Sequence, residues 1–386
     1  MATPVSSPDN FRPGFELTKT VGLARRGRLR LFHGEVETPV FMPVGTAGTV
    51  KGITPDELTG MGAQIILSNT YHLFLRPGVE LIEELGGLHR FMGWGKPILT
   101  DSGGYQVYSL ESLRKLDDTG VEFKSHLDGS TGQLTPERVI DIQERLGSDI
   151  MMVLDECPPH DAPEKLLDQA IARTSRWAER SLRAWRKPHL ALFGIVQGAA
   201  DPRRRVAHAE LLGRMELDGR RFDGLAIGGL GLGEGATQFL DTVEATAQAM
   251  DPARPRYLMG IGRPEDILNS IERGVDMFDC VIPTRNGRNG QAFTSGGVVK
   301  IKNLQYRNDP RPLDETCDCQ ACRNFSRAYL RHLYLADEML APRLLALHNL
   351  HFYQTLLKEA RDAIDDGRFV EYKGSRLARM TSDSPD

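Results

Sequence analysis

The sequence has little cysteine, no long apolar run and no excess of one charge, and each absence excludes a class of protein. Five cysteines among 386 residues are too few for a disulfide framework. No apolar stretch approaches the roughly eighteen residues of a membrane span, and the first residues lack the basic and apolar regions of a signal peptide. We therefore expect a soluble, cytoplasmic protein. A net charge of −4 gives no global attraction to nucleic acid or membrane, so an anionic partner needs a local basic patch.

The remaining composition is that of an ordinary globular protein, with 40% apolar and 26% charged residues. The length accommodates two or three domains of roughly 150 residues, and equally one α/β barrel of about 250 residues with an appendage. Length alone does not distinguish these arrangements.

Eight short apolar runs that end in small or polar residues predict β-strands. They occupy 39–45, 64–71, 96–104, 149–156, 190–198, 222–230, 255–262 and 276–284. Helix signals lie between them: Thr54, Pro55 and Glu57 have the spacing of a capping box, and GRPEDILNSIERG is closed by Gly274. Buried strands that alternate with amphipathic helices predict a parallel sheet covered on both faces. We expect an α/β fold, a (β/α)8 TIM barrel, with an open doubly wound sheet as the alternative.

Barrel enzymes carry their chemistry at the carboxyl ends of the strands. The residues at those ends here are Asp101, Ser102, Asp155, Glu156, Gln197, Gly229, Met259 and Asp279. An aspartate that ends a strand is often only a turn former or a helix cap. The convergence of several carboxylates and an amide is what predicts a site.

A set of motifs at the same strand ends is specific in combination. They are TDSGGYQV (100–107), DECPP (155–159), GIVQG (194–198), IGGLGLGEG (227–235), YLMGIG (257–262) and MFDCVIPTRNGRNGQAF (277–293). With them the chain resembles the bacterial queuine-type tRNA-guanine transglycosylases from about residue 12 to about residue 370. GGLGLGEG does not fit the dinucleotide pattern G-x-G-x-x-G, so no nucleotide cofactor is indicated.

The resemblance implies an exchange of bases at the wobble position of tRNA. Guanine in tRNAs with GUN anticodons (Asp, Asn, His, Tyr) and a U-G-U loop would be replaced by 7-aminomethyl-7-deazaguanine (preQ1) in queuosine biosynthesis. Asp279 matches the nucleophile that forms a covalent ribosyl-aspartate, and Asp101 matches the residue that transfers protons. The paired carboxylates parallel those of retaining glycosidases.

The resemblance also implies which residues bind the base. Asp155 would accept from the guanine edge, Gln197 and the Gly229 amide would donate to it, and Tyr105 and Met259 would sandwich the ring. The peptide at Leu230–Gly231, backed by Glu234, would present either N–H or C=O. The full implied set is Tyr105, Asp155, Cys157, Gln197, Gly228, Gly229, Leu230, Gly231, Glu234 and Met259.

Two positions bear on the choice of incoming base. Cys157 is typical of the bacterial form that uses preQ1. Leu232 stands where a smaller residue such as valine is expected, which leaves acceptor preference less defined than the reaction.

Three of the five cysteines cluster as Cys317, Cys319 and Cys322. With a histidine they form a Cys3His set, which saturates a tetrahedral zinc ion and is typical of a structural site. His348 and His351, one turn apart, both have suitable spacing, and the resemblance favours His348. We expect one structural Zn2+ per subunit.

The segment 285–331 is locally basic, with nine lysines and arginines against four acidic residues. Arg285 and Arg288 match residues that hold the bases flanking the target guanine. An aromatic cluster matches the subunit contact of bacterial members, although phenylalanine replaces the expected tryptophan at its first position; its residues are Phe325, Tyr329, His332 and Phe91. We therefore expect a homodimer.

The domain organisation predicted from these features has three parts. Residues 1–285 form the TIM-barrel catalytic domain, with a hairpin excursion near 121–134. Residues 286–345 form a subdomain that binds zinc and contacts tRNA. Residues 346–386 supply a helix that closes the barrel and carries the zinc-ligating histidine, followed by a polar, mobile tail beyond about 374.

Two other functional classes compete with this interpretation. A zinc-dependent barrel hydrolase needs an open metal site with histidines at the strand ends, where His72 is the only histidine. A non-catalytic partner subunit is disfavoured because Asp101, Asp155 and Asp279 occur together.

Overall fold

The protein is described by a computed structural model over residues 8–105 and 114–382. A short 3-10 helix, Pro8–Asn10, precedes a three-stranded antiparallel sheet of β1 (Gly14–Val21), β2 (Ala24–Leu31) and β3 (Gly34–Thr38). This sheet was absent from the sequence analysis, because four arginines in Ala24–Leu31 dilute its apolar pattern.

Eight parallel strands form the centre of the molecule. The first three are β4 (Val40–Pro43), β5 (Ile66–Ser68) and β6 (Ile98–Thr100). An antiparallel excursion of β7 (Arg114–Leu116), β8 (Val121–Lys124) and β9 (Thr131–Leu134) follows. The eight are completed by β10 (Ile150–Met152), β11 (Ala191–Val196), β12 (Gly224–Ile227), β13 (Arg256–Leu258) and β14 (Met277–Cys280). The hairpin predicted at 121–134 is confirmed, with β7 as an additional strand.

The order of pairing shows that the sheet closes on itself. Strands pair in the order β4-β14-β13-β12-β11-β10-β6-β5, and a parallel bridge between Val44 and Leu67 joins the two ends. The predicted (β/α)8 barrel is therefore confirmed, and the open doubly wound sheet is excluded. The strands are almost wholly buried because the barrel interior covers one face and the helices cover the other.

The helices connect the strands and cover the barrel. They are α1 (Pro55–Gly60), α2 (Thr70–Leu75), α3 (Val79–Glu84), α4 (Gly87–Met92), α5 (Pro136–Leu146), α6 (Glu164–Ala184), α7 (Pro202–Arg214), α8 (Ala236–Ala249), α9 (Pro264–Glu272) and α10 (Ile282–Arg288). The capping box of α1 is present as predicted, with Thr54 and Glu57 bonded reciprocally. Gly274, with a φ of +90°, follows the end of α9 as expected for a terminating glycine.

The C-terminal region begins with a hairpin of β15 (Gln291–Thr294) and β16 (Gly297–Lys300). Helices α11 (Gln320–Asn324), α12 (Arg327–Leu335), α13 (Leu340–Asp365) and α14 (Phe369–Ser382) follow. α13 packs against α10 and β4, so it returns to the barrel as the sequence predicts. The predicted boundaries at 285/286 and 345/346 each fall inside a helix.

The prediction of a polar, mobile tail beyond about residue 374 is wrong for the residues up to Ser382, because these residues belong to α14. Phe369 is fully buried and Arg376 is 5% exposed, so the helix is packed rather than solvated on this face. The packing of α14 was not predicted from the sequence, because polar and apolar residues are mixed along this helix. In the ranges that the structure describes, no helix has the length and apolar character required to cross a bilayer.

Candidate active site and metal centre

All the predicted strand-end residues except Glu156 converge on one cleft at the carboxyl end of the barrel. Its volume is 520 Å3, within the range of about 300–1,000 Å3 that is usual for small-molecule sites. Every base-binding residue predicted from the sequence except Glu234 lines it, together with Asp101, Asp279 and Arg285. Gln106 and Val107 of the TDSGGYQV motif lie outside the described residues.

Asp279 lies in β14 and is held by donors from its neighbour. The hydroxyl of Tyr257, in β13, donates to Oδ1 at 2.6 Å, and the Gly260 amide donates to the same oxygen at 2.8 Å. Burial raises the pKa of Asp279, and these two hydrogen bonds oppose the rise. Both hydrogen bonds to Oδ1 thus orient the carboxylate, which lies in the wall of the cleft.

Asp101 directly follows β6 and is held by the segment that follows β5. The Asn69 side chain donates to Oδ2, and the Thr70 amide donates to Oδ1 at 2.9 Å. Asp101 is 8% exposed. The two carboxylates therefore enter the cleft from different strands, each with its own set of donors.

Asp155 lies three residues after the end of β10, in the wall of the cleft. Burial raises its pKa to about 6, against the hydrogen bonds from Gln197 and Ser102. Gln197 Nε2 donates to Oδ2 at 2.7 Å, and Ser102 Oγ donates to Oδ1 at 3.4 Å. Oε1 of the fully buried Gln197 has no hydrogen-bond partner within the described residues, which leaves an acceptor beside the Gly228–Gly229 backbone.

Glu156, the neighbouring strand-end carboxylate, is not part of the cleft. It forms an ion pair with Arg173 of α6, and its amide donates to Thr174 Oγ1 at 3.0 Å. Adjacent residues in extended backbone point to opposite sides, so only one member of the Asp155–Glu156 pair faces the cleft.

The glycine-rich loop after β12 forms one wall of the cleft. Glu234 accepts from the Gly231 and Leu232 amides and so supports the loop from behind. Gly231 has a φ of +74°, a conformation that favours glycine. Because C=O and N–H of a trans peptide point in opposite directions, the Leu230 carbonyl is directed away from Glu234.

Two flat or flexible side chains flank the cleft. Tyr105 is 53% exposed at its rim, and Met259 directly follows β13 and is partly buried. Arg285 also lines the cleft, and Arg288 lies one turn further along α10. α10 starts three residues after Asp279, so the arginines are close to it in the chain.

The cysteine cluster assembles as predicted, and His348 rather than His351 completes it. Nδ1 of His348 lies 3.6, 3.5 and 3.3 Å from the sulfurs of Cys317, Cys319 and Cys322. Zn–S and Zn–N bonds of about 2.3 and 2.0–2.1 Å at the tetrahedral angle place S and N about 3.5–3.6 Å apart. His351 instead pairs with Asp318 at 2.8 Å.

The second nitrogen of His348 supports metal binding by the first. Nε2 lies 2.8 Å from the Phe293 carbonyl, to which it donates, so Nδ1 is left as the lone-pair nitrogen that faces the three sulfurs. His348 is fully buried, and Cys319 and Cys322 are buried with it. The residues therefore fit a structural tetrahedral metal.

A second group of potential metal ligands, His33, His89 and Asp149, lies at the opposite end of the barrel, before β10. The two imidazoles stack 3.6 Å apart at 21° and bond to different oxygens of Asp149. Nearly parallel rings at this distance do not direct both nitrogens at one ion with the angle of a tetrahedral or octahedral site. This cluster joins chain segments at the base of the barrel.

Several residues of the cleft were missed by the sequence analysis. Tyr257 and Asn69 contact the two candidate catalytic carboxylates, and both lie within or directly after predicted strands. Tyr257 is part of the YLMGIG motif, so its position was the available signal. The hydrogen bond from Tyr257 to Asp279 could not be predicted from the sequence, because it depends on the register between β13 and β14.

The fold and the cleft define a barrel enzyme with an acidic site for a small molecule and a separate Cys3His cluster that fits a metal ion. A family model described as queuine tRNA-ribosyltransferase matches residues 20–382. The chain belongs to this family of transferases.

Individual relatives agree over nearly full length. A queuine tRNA-ribosyltransferase of Thioalkalivibrio sulfidiphilus is 54% identical over 95% of this chain and 99% of its own. Those of Solidesulfovibrio magneticus and Idiomarina loihiensis are 53% and 52% identical, over 95% and 93% of this chain and 98% and 95% of their own.

Proposed function

We propose that this protein is a tRNA-guanine transglycosylase that replaces guanine with preQ1 at the wobble position of GUN-anticodon tRNAs, those for Asp, Asn, His and Tyr, in queuosine biosynthesis. Family membership supports the exchange of a tRNA base. The observation that carries the mechanism is the convergence of Asp101, Asp155 and Asp279, from three strands, on one cleft.

We assign the nucleophile to Asp279. Its carboxylate forms a bond to C1′ of the ribose while the bond from C1′ to N9 of guanine breaks, and the electron pair of that bond leaves with the base. Tyr257 and Gly260 both donate to Oδ1, so Oδ2 is the oxygen we assign to the attack. Attack by N9 of the incoming base on the ribosyl-aspartate then restores the carboxylate.

We assign proton transfer to Asp101. It protonates the departing guanine and later removes the proton from the incoming base. Its hydrogen bonds to Asn69 and Thr70 hold it on the opposite side of the cleft from the β13–β14 pair.

Base recognition is assigned to the residues between these carboxylates. Asp155 accepts from the N–H groups of the guanine edge, and Gln197 and the amide of Gly229 donate to its carbonyl oxygen. Tyr105 and Met259 cover the two faces of the ring. Gly228 and Cys157 complete the wall by contact with Gln197 and Gly229.

The orientation of the Leu230–Gly231 peptide supports preQ1 as the incoming base. Since Glu234 holds the Gly231 amide, the Leu230 carbonyl is free to accept from the aminomethyl group of preQ1. Gly231 tolerates the opposite orientation too, which suits a pocket that binds two different bases in turn.

The anionic partner is a tRNA with a U-G-U anticodon loop, and we assign its contacts to Arg285 and Arg288. We assign Zn2+ to the Cys317, Cys319, Cys322 and His348 cluster, where it supplies structural cross-linking. The division into a barrel (1–285), a zinc and tRNA segment (286–345) and a closing segment (346–386) follows these roles. A cytoplasmic location is part of the proposal, since free thiolate ligands require reducing conditions.

We also assign a homodimer to this protein. The rings of Phe325 and Tyr329 stack 5.4 Å apart, and Tyr329 and Phe91 are 40% and 39% exposed. Exposed aromatic surface next to the basic segment suits a subunit contact. Sedimentation of the wild type and of Tyr329→Ser tests it, with dissociation of the variant as the expected result.

The proposed reaction is tested by incorporation of labelled guanine into an unmodified tRNA with a U-G-U loop. The wild type incorporates label, and Asp279→Asn does not, although it binds the tRNA with nearly unchanged affinity. Equal loss of turnover and tRNA binding would contradict the role of Asp279. No exchange by wild type that binds zinc and tRNA would favour a non-catalytic subunit.

A further inference from the structure

Arg205 in α7 is a buried guanidinium whose hydrogen-bond acceptors are all backbone carbonyls. It is fully buried. Nη1 donates to Val196 O at 3.2 Å, Nε to Ala199 O, and Nη2 to Gly228 O at 2.7 Å and Gly229 O at 3.3 Å. Burial lowers the pKa of Arg205 to about 10, so it is still charged at neutral pH.

These four carbonyls belong to the two strand ends and loops that we assign to base recognition. Val196 is the last residue of β11 and Ala199 lies in the loop after it, on the two sides of Gln197, and Gly228 and Gly229 begin the loop after β12. Hydrogen bonds from a charged donor are about twice as strong as those between neutral groups. One guanidinium therefore fixes the position of one loop relative to the other.

The same contacts determine where two amide groups point. In a planar trans peptide the C=O and the following N–H have opposite directions. Because Arg205 holds the carbonyls of Gly228 and Gly229, the amides of Gly229 and Leu230 are directed away from it. The three loop residues line the cleft, and Arg205 lies behind them, so these amides face the cleft side.

The next peptide of this loop is held differently. The Gly231 amide is bound by the side chain of Glu234, which is partly exposed, rather than by the buried guanidinium. The loop therefore consists of two peptides anchored by Arg205 and a third that depends on a solvent-accessible carboxylate. The two anchored peptides provide fixed amide donors, which suit an acceptor that both exchanged bases share. That acceptor is the carbonyl oxygen of the six-membered ring.

We propose that Arg205 is a positioning residue that directs the Gly229 and Leu230 amides at the ring carbonyl oxygen of the bound base and thereby makes the cleft selective for 6-oxopurines. This inference rests on the proposed function, because it takes a purine-like base as the ligand. Arg205 itself does not touch that base.

The test compares guanine with 2-aminopurine, which has no oxygen at C6. Dissociation constants of both are measured for the wild type and for Arg205→Lys, which keeps the charge but cannot reach four carbonyls. We expect the variant to lose guanine affinity by about tenfold, the value of one to two neutral hydrogen bonds, and 2-aminopurine affinity by less than about threefold. Equal losses for both bases, or an unchanged preference for guanine, would overturn the inference.

Arg203→Lys is the matched control, since Arg203 is exposed on the same helix; it should leave both constants unchanged. If Arg205→Lys does not fold, amide hydrogen exchange of the wild type replaces the comparison. Guanine should then protect the Gly229 and Leu230 amides, and 2-aminopurine should not; equal protection by both overturns the inference. Wild type that binds neither base contradicts the proposed function itself, whereas guanine binding without selective protection contradicts only the role of Arg205.

Discussion

The hydroxyl of Tyr257 donates a 2.6 Å hydrogen bond to Oδ1 of Asp279 across two paired strands of the barrel. Asp279 is partly buried in the wall of the cleft, and this burial raises its pKa, so each donor that favours the charged form keeps more of it ionised at neutral pH. Tyr257 therefore acts on the ionisation of the carboxylate as well as on its orientation.

Substitution of this tyrosine should change the pH dependence of base exchange. Tyr257→Phe removes a hydrogen bond that lowers the pKa of Asp279, so that pKa rises. The acidic limb of the kcat/KM profile should then move to higher pH, and kcat should fall about tenfold or more at neutral pH. Tyr306→Phe, a tyrosine of the C-terminal region, is the control and should keep the wild-type profile. An unshifted acidic limb would separate Tyr257 from the ionisation of Asp279.

Asp155, which we assign to base recognition, should lower the stability of the folded protein. Its pKa is 3.8 in the unfolded chain and about 6 in the folded protein, so between these values only the folded state keeps the proton. Because the folded state holds the extra proton, the free energy of unfolding falls as the pH rises from 3.8 to about 6. Above about 6 the stabilisation from this proton is completely lost. Asp155→Asn should be more stable than wild type by roughly 1–3 kcal/mol at pH 8 and nearly equal at pH 4, by denaturant unfolding.

The same substitution should impair binding of the base. Asp155→Asn replaces the carboxylate that we assign to guanine recognition with a neutral amide, so guanine affinity should fall by at least about tenfold at pH 8. For the wild type, affinity should also weaken as the pH falls below about 6, where Asp155 becomes protonated. A variant that is less stable at pH 8 yet binds guanine normally would contradict both roles.

The metal centre should couple metal content to folding. Cys319→Ser removes one of four ligands, so bound zinc and the free energy of unfolding should fall together, as measured by metal analysis and denaturant unfolding. His351→Gln is the matched control, because His351 pairs with Asp318 outside the cluster and should leave metal content unchanged. Full zinc occupancy in the Cys319 variant would remove that residue from the ligand set.

Arg288 should contribute to tRNA affinity without affecting the free base. Arg288 lies in the last turn of α10, the helix that follows Asp279, and Nη1 has no hydrogen-bond partner among the described residues. Arg288→Ala should weaken tRNA binding and reduce the slope of log K against log salt by up to about 1. Arg214→Ala, at the C-terminal end of α7, removes the same charge far from the strand ends and should change neither quantity. Identical effects of both variants would indicate general charge attraction alone.

Much of the fold was predictable because burial leaves a local record in the sequence. All eight barrel strands lie within predicted runs, since strands covered on both faces are continuously apolar. The sheet of β1 to β3 and the helix α14 were not predicted, because each has one solvated face and a mixed polar pattern. The register between strands and the hydrogen-bond partners of side chains cannot be predicted in this way, because they depend on segments that are distant in the chain.

The candidate site divides in the same way. Motifs and spacing by themselves determined the family resemblance, the cleft residues such as Asp279 and the cysteine trio, because residue type and chain distance are local properties. The resemblance also favoured His348 over His351, which spacing alone left open. Only the tertiary structure decided that Glu156 turns to Arg173 and that Arg205 holds two loops from behind. Each of these depends on how segments distant in the chain pack together, and a hydrogen bond between them exists only at one relative position of their backbones.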